Sequence, residues 1–213
     1  MGITSAHALD VNYLTHGGSL PLKTWTAGDL KTLAKRNGEI SSQKLLIDES
    51  AAKLDLNDRA DIDLVTIVGD HTARVPRFMV WREYLKFKLN HDGTLSSSAV
   101  SNRLLVPTSL FSVSKITKIE LGRANLLFPE IELHLRTNPA ASRGEKLYAQ
   151  SCLACHGLSA KALKVTSIAD EQLKSFSTTH LKFGITLDPK ALRGLVAYRD
   201  ALVLEHSEVK SVK

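Results

Sequence analysis

The feature that most constrains this chain is the run Cys152-Leu153-Ala154-Cys155-His156, which holds the only two cysteines among 213 residues. A Cys-x-x-Cys pair serves as a redox dithiol, as half of a zinc site or as a disulfide, and Cys-x-x-Cys-His is also the attachment sequence for haem c. The spacing has a chemical reason. Two thiols three residues apart on one helical turn can each add to one of the two neighbouring vinyl groups of a haem, and the next imidazole then lies under the iron as proximal ligand. A thioredoxin-like dithiol would open a helix after a strand, whereas the residues before Cys152 have a helical pattern. A four-ligand zinc site would need two further ligands, and there is no second cysteine pair to supply thiolates.

The flanks extend the pattern. Ser142-Arg143-Gly144-Glu145 has the form of a capping box, and Leu147 and Tyr148 give an apolar stripe to a helix expected from Ser142 to about Cys152. Downstream, Leu187-Asp188-Pro189 places an N-cap and a first-turn proline before a helix expected from Pro189 to about Leu204. Its apolar positions are Leu192, Leu195, Val196, Val203 and Leu204, with Tyr198 three residues after Leu195 on the same side.

Residues 142–204 resemble a small class I cytochrome c. The likeness lies in a first helix with Gly144 and Tyr148, then Cys152 to Gly157 as Cys-x-x-Cys-His-Gly, and a last helix with Leu195 and Tyr198 as Leu-x-x-Tyr. It implies an all-α domain in which those two helices cross near the glycine and the aromatic, closing one edge of the haem pocket. It also implies one covalent haem c on Cys152 and Cys155, with His156 as proximal iron ligand. The chain departs from the family at the sixth ligand, usually a methionine before the last helix. Here the methionines are Met1 and Met79. His180, eight residues before Asp188, is read as the distal ligand in their place, which should lower the potential relative to thioether ligation. An open iron, His206, a lysine or Met79 are the alternatives at that position.

The first 139 residues carry less chemistry. The net charge of +6 is spread along the chain without the dense basic block that nucleic acid would require, so no nucleic-acid partner is expected. No run of about 18 apolar residues is present, so no transmembrane segment is expected. Residues 1–8 lack the charged start and apolar core of a secretory leader. Because haem c is attached outside the bacterial cytoplasm, a periplasmic location is expected, reached through a leader absent from this chain. Ala6-His7-Ala8 then reads as the tail of a cleavage site and residues 1–10 as a disordered remnant.

Residues 11–123 read as a mixed α and β segment. Leu20–Thr24 is a strand, Thr26 caps a short helix to about Lys35, and Ile62–Val68 is a buried strand ended by Gly69-Asp70. Arg74–Phe78 continues a hairpin, and Met79–Leu89 is open between helix and edge strand. Leu104–Val106 and Ile116–Leu121 are further strands, with Asn90–Asn102 the loop between. In order and texture, the segment resembles the molybdopterin-binding fold of the sulfite-oxidase class, through Trp25 to Leu30, Leu105-Val106-Pro107 and Ile116 to Leu121. That class holds molybdenum through a cysteine, and both cysteines here belong to the haem motif. The resemblance therefore implies a degenerate copy with no molybdopterin, serving as a docking or scaffold domain.

The remaining polar clusters read as structural. His71 beside Asp70, with Arg74 and Arg77, is a polar turn, Trp25 and Trp81 are packing residues, and Lys86, Lys88 and Arg82 form a solvated basic face. His16-Gly17-Gly18 lacks the strand–turn–helix setting of a phosphate loop. The expected organisation is two domains: an N-terminal α+β domain with a sulfite-oxidase-like mixed sheet, then a linker at 124–141. The C-terminal all-α cytochrome c domain follows at 142–206, with a tail at 207–213. The expected function is single-electron transfer to or from a redox protein, which could be an oxidoreductase catalytic subunit, without substrate chemistry of the chain's own. A haem gas sensor, a haem enzyme with an open distal site, and the cytochrome subunit of a molybdenum oxidoreductase are the alternatives.

Overall fold

Strand β1, Leu9–Thr15, buries alternate residues Leu9, Val11 and Tyr13, the period-2 signature of a strand with one face on a core. A tight turn returns the chain as β2, Gly18–Trp25, and the register slips between Val11 and Asn12, where the partner strand carries Pro21. A bulge there accommodates a residue that cannot donate to the ladder. The computed structural model describes residues 9–100, 108–127, 138–153 and 187–211. The chain divides into two units, Met1–Leu127 and Phe128–Lys213.

In the first unit, β1 pairs in parallel with β8, Lys118–Gly122, which pairs antiparallel with β4, Leu64–Val68. The β4 strand continues by a hairpin into β5, Thr72–Pro76. The order β2-β1-β8-β4-β5 makes a five-stranded mixed sheet. Register places Val11, Ile119, Ile67 and Ala73 in one row, and Tyr13, Leu121, Val65 and Val75 in the next. All eight are buried, and these cross-strand rows hold the sheet together. A second, antiparallel sheet has the order β3-β6-β7, from Glu39–Ser41, Leu85–Leu89 and Leu95–Ala99.

Short helical pieces connect the strands. Helix α1, Ala27–Leu33, starts at a full capping box between Thr26 and Asp29. A π-helical turn at Gln43–Asp48 buries Leu45, Leu46 and Ile47. Asp55 caps α2, Leu56–Ala60, through the Asp58 amide at 2.7 Å. Helix α3, Arg77–Trp81, leads to Glu83, whose positive φ of 53° ends the helix before β6. The stretch left open between helix and strand is therefore both. Helix α4 is Ala124–Leu127.

The second unit contributes α5, Pro139–Ser151, and α6, Pro189–Ser211. Asp188 caps α6 as expected, accepting from the Ala191 amide at 2.7 Å. The start of α5 differs. Asn138 is the N-cap, accepting from the Ala140 and Ala141 amides at 3.0 and 3.2 Å, with Pro139 at the first position. Asn-Pro supplies both a cap and a preset φ, so the helix begins four residues before the Ser142 box and takes up the end of the expected linker.

These findings correct the expected fold class. The described structure is a mixed α/β fold with two sheets and few helices, and no cytochrome c domain is shown. An α+β N-terminal part is compatible with it, but a single mixed sheet is not. The serine-rich stretch read as loop forms β7, whose pairing with β6 creates the second sheet. Serine favours that strand because Ser97 is internally satisfied: its hydroxyl donates to the Phe111 carbonyl at 2.9 Å and accepts from the Val113 amide. In the second unit, two amphipathic helices are described and residues 154–186 lie outside the described residues, so the flanking helices do not by themselves define the all-α domain. The expected strand Leu104–Val106 also lies outside the described residues.

Candidate functional site

The helix that delivers the cysteine motif is held by its partner helix at a glycine pair. Ala141, Gly144, Glu145, Tyr148, Ala149 and Cys152 form the buried stripe of α5, at helical spacing. Leu192, Leu195 and Tyr198 form that of α6. The backbones meet at Gly144 and Gly194. A Cβ on Gly144 would fall 1.9 Å from the Gly194 carbonyl oxygen, and one on Gly194 would fall 3.3 Å from the Gly144 Cα. The rings of Tyr148 and Tyr198 pack with centroids 5.7 Å apart at 48°. Burial pushes the Tyr148 phenol above its ordinary pKa, and the neighbouring Cys152 and Tyr198 add to the shift.

Cys152 terminates α5. Its φ of −116° and ψ of −37° keep it in the right-handed helical region, and its amide donates to the Tyr148 carbonyl at 2.8 Å. Its side chain is buried. Cys155, His156 and His180 lie outside the described residues. Among the described residues, no three His, Cys, Asp or Glu side chains group as a metal site. Of the motif, the described part is its first thiol, which follows α5 at the C-cap with right-handed helical dihedrals and is buried, and Leu153 after it is again helical.

The other clusters singled out from sequence make local contacts within the first unit. Asp70 Oδ1 accepts from the Ser114 and His71 amides, each at 2.9 Å, and lies 2.8 Å from His71 Nδ1. The Ser114 amide is the main reason the Asp70 carboxyl lies below its ordinary pKa, with His71 assisting. Gly69 is required beside it, since a Cβ there would fall 2.2 Å from the Ser114 carbonyl oxygen. Arg77 donates from Nη1 to the carbonyls of Arg59, Ala60 and Ile62, and stacks on Trp81 at 4.3 Å. It thereby closes the C-terminal end of α2, and burial lowers its pKa. Trp25 is buried and donates to Ser50 Oγ at 3.3 Å, and the Ser50 hydroxyl donates onward to the Leu45 carbonyl.

Sequence reasoning missed Gly194. Its signal is a glycine inside an otherwise helical pattern, which costs helix stability unless a backbone must approach closely. Compared with protein-family models, curated proteins and solved structures, the chain gives no match. No helix among the described residues is long and apolar enough to cross a membrane.

Proposed function

We propose that this chain is a periplasmic c-type electron carrier with one covalent haem. In this reading Cys152 and Cys155 are the thioether anchors, His156 is the proximal iron ligand and His180 the distal one. The first unit is a docking or scaffold module for a redox protein, for which the catalytic subunit of an oxidoreductase is one form. The observation that carries the reading is Cys152 on the closing turn of α5, buried and still helical. The histidine directly after the pair, at position 156, is what separates this motif from a thioredoxin-type dithiol. When bound, the haem supplies an iron that cycles between Fe(II) and Fe(III). The two imidazoles keep the coordination fixed in both states, and histidine in place of methionine lowers the potential. The crossing at Gly144 and Gly194 holds the middle of the helix from which the motif departs.

The test is an optical spectrum of protein produced with haem c maturation, taken oxidised, reduced, and reduced under CO. Covalent haem with sharp low-spin bands and no CO shift is expected, and His180→Ala should convert it to a CO-binding form. Ready CO binding by the wild type would remove the His180 assignment and favour a gas sensor or haem enzyme. Absence of covalent haem, with Cys152→Ser behaving as wild type, would end the reading.

A further inference from the structure

The first unit carries a cleft that the haem reading does not use. It lies between the turn after α1 and the β6–β7 hairpin, encloses about 580 Å³, and is lined by Lys31, Lys35, Arg36, Lys88 and His91, with Asn37 and Asn90 among its other residues. No aspartate or glutamate lines it. We propose that this cleft binds a small soluble polyanion, a phosphorylated molecule with two or more phosphate groups.

Three observations support this assignment. First, the cations come from segments about fifty residues apart in the chain, and the backbone fixes them together. The Leu89 amide donates to the Gly38 carbonyl at 2.9 Å, the Lys35 amide to Glu39 at 2.8 Å, and the Gly38 amide to Lys35 at 2.8 Å. Gly38 has a φ of +80°, and a Cβ there would fall 2.8 Å from the Leu89 carbonyl oxygen, so the two walls approach as only glycine permits. Second, the charges are only weakly compensated, the field of Lys35 on Glu39 being shared with Lys86. Elsewhere in this unit Lys23 pairs with Glu49, Lys86 with Glu39, Lys118 with Glu120 and Arg123 with Asp61. None of Lys31, Lys35, Arg36 and Lys88 makes an ion pair among the described residues. The nearby carboxylates are engaged, Glu39 by Lys86 and Asp92 by the Thr94 amide and hydroxyl. Third, the volume falls in the range of small-molecule sites, about 300–1,000 Å³, and converging cations in a concavity focus potential on an anion. All five side chains are exposed, so binding should weaken as salt rises.

The experiment is titration of the full chain with inorganic triphosphate at low salt, read by calorimetry and by amide shifts at Gly38 and Asn90. Saturable one-to-one binding is expected, weakened at least tenfold in the double variant Lys35→Glu/Arg36→Glu. The control Lys53→Glu, at an exposed position outside the cleft, should stay within twofold. Should the charge-reversed variant fail to fold by circular dichroism, Lys35→Gln/Lys88→Gln provides the same comparison with a smaller loss. Absence of saturation, or equal weakening by Lys53→Glu, would overturn the proposal. So would binding of poly-glutamate or anionic phospholipid vesicles without binding of triphosphate, which would make the face a docking surface. None of these readouts depends on haem.

Discussion

The contact between α5 and α6 predicts an asymmetry between two glycines that composition alone would treat alike. Alanine at Gly144 would bring its Cβ within 1.9 Å of the Gly194 carbonyl oxygen, 2.3 Å of its carbon and 2.8 Å of the Leu195 nitrogen. These are backbone atoms of a helix and cannot rotate away, so the helices must separate by about 1.5 Å, which forfeits a quarter to a half or more of each contact's dispersion energy. Overpacking of this kind costs about 1–3 kcal/mol, and the higher helix propensity of alanine returns about 1 kcal/mol at most. Because the obstacle is backbone, the upper part of that range applies, and Gly144→Ala should destabilise the second unit by about 2 kcal/mol net. At Gly194 the nearest atoms to a new Cβ are the Gly144 Cα and nitrogen at 3.3 Å. A shift of a few tenths of an ångström suffices there, and the propensity gain offsets it, leaving Gly194→Ala within about 1 kcal/mol of wild type. Urea unfolding of the full chain, both variants in the same haem-loading state, measures the difference. Hydrogen exchange at the Cys152 amide, bonded to the Tyr148 carbonyl, localises it to α5. Equal stability of the two variants would refute the close crossing.

Three further predictions concern the first unit. Gly69→Ala should destabilise it by about 1–3 kcal/mol in urea, because the new methyl meets the Ser114 carbonyl, and a neutral result would contradict that contact. Arg77→Met should cost about 2–3 kcal/mol through loss of charged donors to three carbonyls, with Arg77→Lys recovering only part since an ammonium lacks the guanidinium fork. The Asp70 carboxyl is depressed in the folded state, so its contribution is present above the ordinary aspartate pKa and is lost as pH falls through the folded value. Asp70→Asn should flatten the stability profile below the ordinary aspartate pKa of about 3.9, measured as urea midpoints, and an unchanged acid limb would count against the Ser114 bond.

What the sequence made legible were elements whose determinants are local. Thr26 with Asp29, and Asp188 before Pro189, mark their helix starts because capping is decided within four residues. The run Ile62–Val68 reads as a strand because β-branched residues buried on both faces leave no other pattern, and the strand is Leu64–Val68. Competing local signals produced the errors. Asn138-Pro139 outranks the Ser142 box one turn later, and the serines of β7 look like loop until Ser97 finds its partners on residues 111 and 113. The cleft cations were invisible for a different reason. Lys88 was read with Lys86 and Arg82, its neighbours in sequence, whereas the fold sets it beside Lys31, Lys35 and Arg36. Only the antiparallel pairing of Glu39–Ser41 with β6 creates that set.

The same distinction bears on the cysteine motif. Spacing within Cys152 to His156 is a local fact, and so is the helix that ends on Cys152. The expected all-α domain is a global statement inferred from two local ones, a helix with Gly144 and Tyr148 before the motif and a helix with Leu195 and Tyr198 after it. Paired glycines at a helix crossing solve a general problem, close approach of two backbones, and many folds need that solution. They therefore explain how closely α5 approaches α6, and they do not by themselves define a domain class. Haem attachment depends on thiol chemistry and on which imidazoles reach the iron, not on the class of the surrounding fold. It follows that the decisive measurement is chemical. A thioether-bonded haem on Cys152 and Cys155, with CO excluded by His180, would support electron transfer whatever the class of the domain.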